Sequence, residues 1–152
     1  MSTTAEHKQF LTKDCMDLFA KLQADTAPKF GIMTPQHMVE HLIWTAKSMS
    51  KRHGEPDPAA AEKQARWQSF LQNPTFKHMP KDDAKLGDLK YASLEEAIAQ
   101  IPAAVQRIYA PFEADEQFKA YNPMMGEIDF EAAQRFHHAH FRYHLDQFGL
   151  LD

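Results

Sequence analysis

Cysteine is almost absent from this chain. The one present, Cys15, excludes an internal disulfide framework and any cysteine-based zinc ribbon. That fits a reducing compartment, and Cys15, set at helical intervals from Leu11 and Leu18, reads as a small core residue rather than a reactive thiol. Long apolar runs are also missing. None approaches the roughly 18 residues that a membrane-spanning helix needs, and the opening MSTTAEHKQF is too polar for a secretory leader. A cytoplasmic protein is therefore expected. Nor is there an excess of basic charge: 17 Lys and Arg against 21 Asp and Glu leave a formal net charge of −4. Without a basic face to neutralise phosphates, neither nucleic acid nor an anionic membrane is expected as a partner. The lysines between Lys77 and Lys90 are diluted by Asp82, Asp83 and Asp88 and read as a solvated loop. At 152 residues the chain is expected to form one domain, 1–152.

Helical periodicity is what remains. Four long amphipathic segments can be read, and no segment reads as a strand. The first runs from Thr4 to Gln23, with Phe10, Leu11, Cys15, Leu18, Phe19 and Leu22 at helical spacing. The second opens at Thr34-Pro35, a hydroxyl at N-cap with proline at N1, and is expected to end at Gly54. A long connection over residues 55–92 follows, rich in proline, with a short helix around AAAEKQARWQSFLQ. Ser93 and Glu96 form a capping box for the third helix, which Pro102 should kink or restart. Asp129 caps the fourth, and Gly149 stops it. The fold class is all-α, and a connection of that length can span a bundle as a crossover between the second and third helices.

Nine histidines are distributed unevenly over these helices. His137, His140 and His144 share the apolar stripe of the last helix with Phe130, Phe141 and Phe148. Buried imidazoles need partners, and a pair spaced i, i+4 has Cβ atoms about 5–6 Å apart, close enough for both rings to bind one ion at about 2.0–2.1 Å. The second helix supplies another such pair, His37 and His41. Packed helix axes lie about 8–10 Å apart, a gap that two imidazoles and a metal can bridge. The expected ligands are His41, His140 and His144. Three protein ligands with positions left for water or substrate make a catalytic rather than a closed structural pattern. His37, Trp44, Thr45 and His137 are candidates for a cavity or for contacts that orient the ligands. His138 points about 100° away from the stripe and is expected outside the site. His7, His53 and His78 receive no role. The sequence HMVEH also matches the H-x-x-E-H pattern of inverted zinc peptidases, but those enzymes need a larger catalytic domain and a distal glutamate ligand. Here Glu40 falls on the polar stripe with Lys47 and Lys51, so the match is set aside.

TPQHMVEHL at the start of the second helix, the long crossover, and NPMMGEIDFEAAQRFHHAHFRYHLDQFG at the C-terminus together resemble the DinB/YfiT-like superfamily of metalloenzymes, in one of its uncharacterised branches. The resemblance implies a four-helix bundle, commonly a homodimer. It also implies a divalent metal held by a histidine of the second helix and an H-x-x-x-H pair of the fourth, which match His41, His140 and His144. Tyr143 departs from the branch, which more often places another histidine there. Relatives include S-transferases that use a low-molecular-weight thiol and an isomerase that uses mycothiol. The implied activity is thus a metal-dependent transferase or hydrolase acting on a small-molecule substrate, with zinc, nickel or ferrous iron and a thiol as cofactors. The alternative is a non-enzymatic bundle whose histidines bind a structural metal or none.

Overall fold

Side-chain caps at Thr34, Ser93 and Asp129 open three of the helices in the computed structural model, which describes residues 4–76 and 86–151. The chain is mostly helical, with one small sheet. Helix α1 (Thr4–Gln9) widens into a π-helical segment (Phe10–Asp14) and returns to α-helix in α2 (Cys15–Phe19). Phe10, Leu11, Cys15 and Phe19 are all buried along it. The helix stops at Phe19 instead of reaching Gln23. There the turn tightens, with Lys21 N donating to Leu18 O and Leu22 N to Phe19 O, and this carries Leu22 into the core.

Helix α3 (Pro35–Ser48) starts as its sequence predicts: Thr34 Oγ1 accepts from His37 N, and Pro35 fills the first turn. Its end corrects the expectation, falling well short of Gly54. Ser50 Oγ donates back to Ala46 O, and the chain then leaves the helix to pair with a strand through Tyr121 N to Lys51 O and His53 N to Tyr121 O. Gly54, at φ +84, makes the turn beyond. The connection carries α4 (Ala61–Gln72), the short helix expected there. His78, Pro80 and the lysines at 77, 81 and 85 lie outside the described residues. Lys90 lies in an exposed segment, as expected, whose backbone is bonded to α3.

Ser93 Oγ accepts from Glu96 N, and Glu96 Oε2 accepts from Ala92 N, so the capping box closes one residue early on its return side. The expected interruption falls at Gln100, between α5 (Leu94–Ala99) and α6 (Ile101–Ala114). Pro102 then lies in the first turn of α6, where its missing N–H leaves no bond unmade.

The reading without strands is corrected by a hairpin, β1 (Ala120–Asn122) paired antiparallel with β2 (Gly126–Ile128). Three-residue strands carry too little alternation to be read. Asn122 Oδ1 closes the turn by accepting from Met124 N and Met125 N. Gly126, at φ +83, completes it in a conformation that disfavours a side chain.

Helix α7 (Phe130–Gln147) packs on α1, α3, α4 and α6. Asp129 Oδ1 caps it by accepting from Ala132 N. The helix ends as expected at Gly149, φ +72, with Leu150 N returning to Leu145 O. Phe141 and Leu145 enter one apolar cluster with Phe19, Leu42 and Ile108. Phe136 enters a second, with Leu71, Phe112 and Ile128 beneath α4 and the hairpin. His138 stays outside both clusters and stacks on His7 at 4.0 Å, joining α1 to α7. Among the described residues no helix is long and apolar enough to cross a membrane. Because Asp129 Oδ1 satisfies an otherwise orphaned N–H of α7, Asp129→Ala is expected to cost about 1 kcal/mol, a loss of a few degrees in Tm. Thermal unfolding followed by circular dichroism measures it, and an unchanged Tm would show that packing alone fixes the start of α7.

Candidate metal centre

His41 projects from α3 and His140 and His144 from successive turns of α7, all three toward one point. His140 Nε2 lies 3.1 Å from His41 Nε2 and 3.2 Å from His144 Nε2. The three ligand atoms all fall within 4.8 Å of one another, close enough to hold one metal ion. Two nitrogens bound to a tetrahedral ion at about 2.0–2.1 Å stand about 3.3 Å apart, so the 3.1 and 3.2 Å spacings at His140 fit a shared cation.

Proton placement supports the same fit. Gln147 Nε2 donates to Phe30 O at 3.0 Å, which leaves Oε1 facing His144 Nδ1 at 2.7 Å. An amide oxygen accepts, so His144 carries its proton on Nδ1 and presents a bare lone pair at Nε2. A single proton on His140 Nε2 can point well at only one of its two neighbours. If that nitrogen is bare instead, it meets the His144 lone pair, a repulsion that a cation removes. His140 Nδ1, His137 Nδ1 and Thr45 Oγ1 are buried without a hydrogen-bond partner in the protein, so the polar groups here do not satisfy one another.

The walls are aromatic. His140 lies between Phe76 and Phe136, with ring centroids 5.2 and 5.3 Å away, and Tyr143 stands edge-on to His144 at 5.0 Å. Tyr143 also reaches Phe30 and Phe76, so the position that departs from the resembled branch is part of this wall. Burial disfavours the imidazolium form and lowers all three ligands. Desolvation, followed by the charges of His144 and His41, pushes His140 down to about 2. Desolvation pushes His144 to about 4 against the opposing bond from Gln147, and desolvation lowers His41. At neutral pH the three are neutral, the state a metal requires.

The other candidate residues divide. His37, His41 and Trp44 line one cavity of about 430 Å³. His37 uses both ring nitrogens structurally, one 2.6 Å from Thr34 Oγ1 and the other 2.9 Å from Gly87 O. Thr45 is buried one turn beyond His41. His137, one turn before His140, is fully buried against Phe136 and does not line that cavity. His53 Nε2 meets Ser48 O, in the turn that ends α3. Glu40 is half-buried beside the cavity rather than on a solvated stripe. Its Oε1 accepts from Lys90 N, and its Oε2 from Tyr91 N and Gln36 Nε2. Desolvation opposes its ionisation, but these bonds and the nearby His37 outweigh it and lower its pKa. A carboxylate so engaged does not serve as a peptidase base.

Gln147 was not among the sequence candidates. It holds His144 while the segment at residues 29–31 holds it in turn: Lys29 N donates to Gln147 O at 2.6 Å, and Lys29 Nζ pairs with Asp146. Gly31, at φ +84, sits where a Cβ would stand 2.7 Å from Gln147 Nε2. No family model, curated protein or solved structure matches the chain.

Two outcomes follow from this geometry. Replacing Gln147 by Leu removes the acceptor that fixes the His144 tautomer and is expected to weaken zinc binding about 10–100-fold in a chelator competition, whereas Gln147→Glu keeps the acceptor and most of the affinity. Equal affinity in all three proteins would show that His144 needs no orienting partner. For pH, the folded pKa values lie below the unfolded value near 6.5, so below that pH the unfolded chain binds protons that the fold excludes. Stability of the metal-free protein is expected to fall as pH drops from about 6.5 toward about 4, by up to about 1.4 kcal/mol per pH unit for each such histidine. Urea unfolding across this range measures the slope. His140→Phe should flatten it, and a slope unchanged by that substitution would refute the assignment.

Proposed function

We propose that this protein is a divalent-metal-dependent enzyme of the thiol-transfer type, a four-helix bundle with a long crossover of the DinB/YfiT-like kind. The observation that carries the reading is the convergence of His41, His140 and His144 Nε2 on one point, with His144 held in its metal-binding tautomer by Gln147. Three neutral imidazoles suit zinc, nickel or ferrous iron. A bound ion of that kind lowers the pKa of a coordinated thiol or water. The chain's own residues hold the ligands rigid and exclude bulk water with Phe76, Phe136 and Tyr143. A low-molecular-weight thiol would lose its proton to solvent. Its sulfur would then form a bond to an electrophilic carbon of a small molecule, whose leaving group departs with the electron pair. The remaining features of the proposal are a homodimer in the cytoplasm, with no nucleic-acid or membrane partner.

A structural metal site would be closed, whereas here one of the three ligands, His41, also lines a cavity. Elemental analysis of protein purified without an affinity tag tests the centre. Near-stoichiometric zinc, nickel or iron is expected in the wild type and is expected to be lost in His140→Ala and His144→Ala, with helical content largely kept. Metal retained by both variants, or absent from the wild type, would remove the site. Thiol consumption with a panel of electrophiles, measured with and without chelator, then tests the chemistry.

A further inference from the structure

The cavity that reaches His41 is walled on one side by α3 and on the other by residues 86–91. That second wall is fixed in place. His37 bonds to Gly87 O, Gln36 Nε2 donates to Tyr91 O, and Glu40 accepts from Lys90 N and Tyr91 N. Four bonds from two adjacent faces of one helix make a preformed site of about 430 Å³, within the range of small-molecule pockets.

What the cavity offers a ligand follows from what those bonds have already engaged. Both ring nitrogens of His37 and both carboxylate oxygens of Glu40 have partners inside the protein, so little of their hydrogen-bonding capacity is left for a ligand. Charge does not select either, because Lys47 and Lys90 balance Glu40 and Asp88 in the same lining. Apolar surface is left. Met33, Ile43, Leu86 and the Tyr91 ring line the space, and Trp44 stands 65% exposed at its edge. Leu86 is 40% exposed there, and Ile32 and Leu89, next to lining residues in sequence, are exposed as well. Two of the five large exposed apolar side chains among the described residues, Trp44 and Leu86, thus line this one cavity, and exposed apolar surface joined to a cavity marks a binding surface rather than scattered surface residues. A flat ring against an exposed indole, in a site without net charge, is the matching shape.

We infer that this cavity binds an uncharged aromatic small molecule through Trp44, Leu86 and Tyr91, and that this molecule is the electrophilic substrate. In calling the ligand a substrate the inference rests on the metal-centre reading; in calling it aromatic and uncharged it does not.

The test uses 2-naphthol as probe, titrated calorimetrically into the full chain both zinc-loaded and chelator-stripped. Saturable binding at one site is expected, with quenching of Trp44 in a Trp67→Phe background where it is the remaining tryptophan. Trp44→Ala and Leu86→Asp, both at exposed positions, are each expected to weaken binding at least tenfold without changing the fold. Binding that survives both substitutions, or no saturable binding, would overturn the inference. So would 2-naphthoate binding tenfold tighter than 2-naphthol, since the ligand would then be an anion. Conversion of a dimer to monomers by Trp44→Ala would also overturn it, by making this face an interface between copies. Naphthol binding to a protein that takes up no zinc would leave the aromatic site standing and remove the metal centre.

Discussion

A cluster of three imidazoles, two of them buried against aromatic rings and the third half-buried, is the constraint on which the rest of this structure depends. His140 and His144 each carry two polar nitrogens into a region where water does not compensate them, and an unpaired buried polar group costs on the order of 1–3 kcal/mol. The fold meets that cost in part. Gln147 takes the outer nitrogen of His144, and the inner nitrogens of all three rings are turned toward one another. Left to themselves, three such nitrogens cannot all be satisfied, because His140 Nε2 can donate to or accept from only one of its two neighbours. The arrangement is therefore consistent with a cation at its centre.

Holding this geometry requires α7 to be fixed at both ends. Asp129 closes its N-terminus, and at the other end residues 29–31 clasp Gln147 and Asp146. The clasp explains a glycine with a specific task. Gly31 combines a positive φ with a position where any Cβ would strike the amide of Gln147. A side chain there would displace the group that orients His144, so the segment between α2 and α3 acts on the centre without touching it.

Much of this was legible in the sequence, and the unread parts share a cause. The stripe of His140 and His144 on α7, and the i, i+4 pairing that adds His41, follow from helical periodicity, as do the caps at Thr34, Ser93 and Asp129. What periodicity cannot express is a bond to a distant loop. Glu40 seemed to belong to a polar, solvated stripe because its partners, the amides of Lys90 and Tyr91, lie fifty and more residues away. Gln147 reads as an ordinary surface glutamine until Phe30 is placed beside it. The hairpin at residues 120–128 was missed because its strands are three residues long and depend on Lys51 and His53 for further pairing.

Helix α3 shows how a binding surface and a metal centre become one object. His37, His41 and Trp44 stand at i, i+4 and i+7, on a single stripe, and Gln36 and Glu40 stand one residue ahead on the adjacent stripe. Successive turns of one rigid element therefore fix the cavity wall, present the proposed metal ligand and place the exposed indole. Of the three ligands, His140 and His144 are closed in by aromatic rings, while His41 is half-buried and shared with the cavity. A group entering that cavity thus meets the centre at His41 first. Because the wall is bonded to Gln36, His37 and Glu40 of the helix that carries His41 and Trp44, the distance between ring and ligand is set by helical rise, about 1.5 Å per residue, and not by loop motion. A substrate positioned this way needs no closing segment to reach the centre. The selectivity of the proposed reaction would then reside in α3 and residues 86–91, and its chemistry in α7.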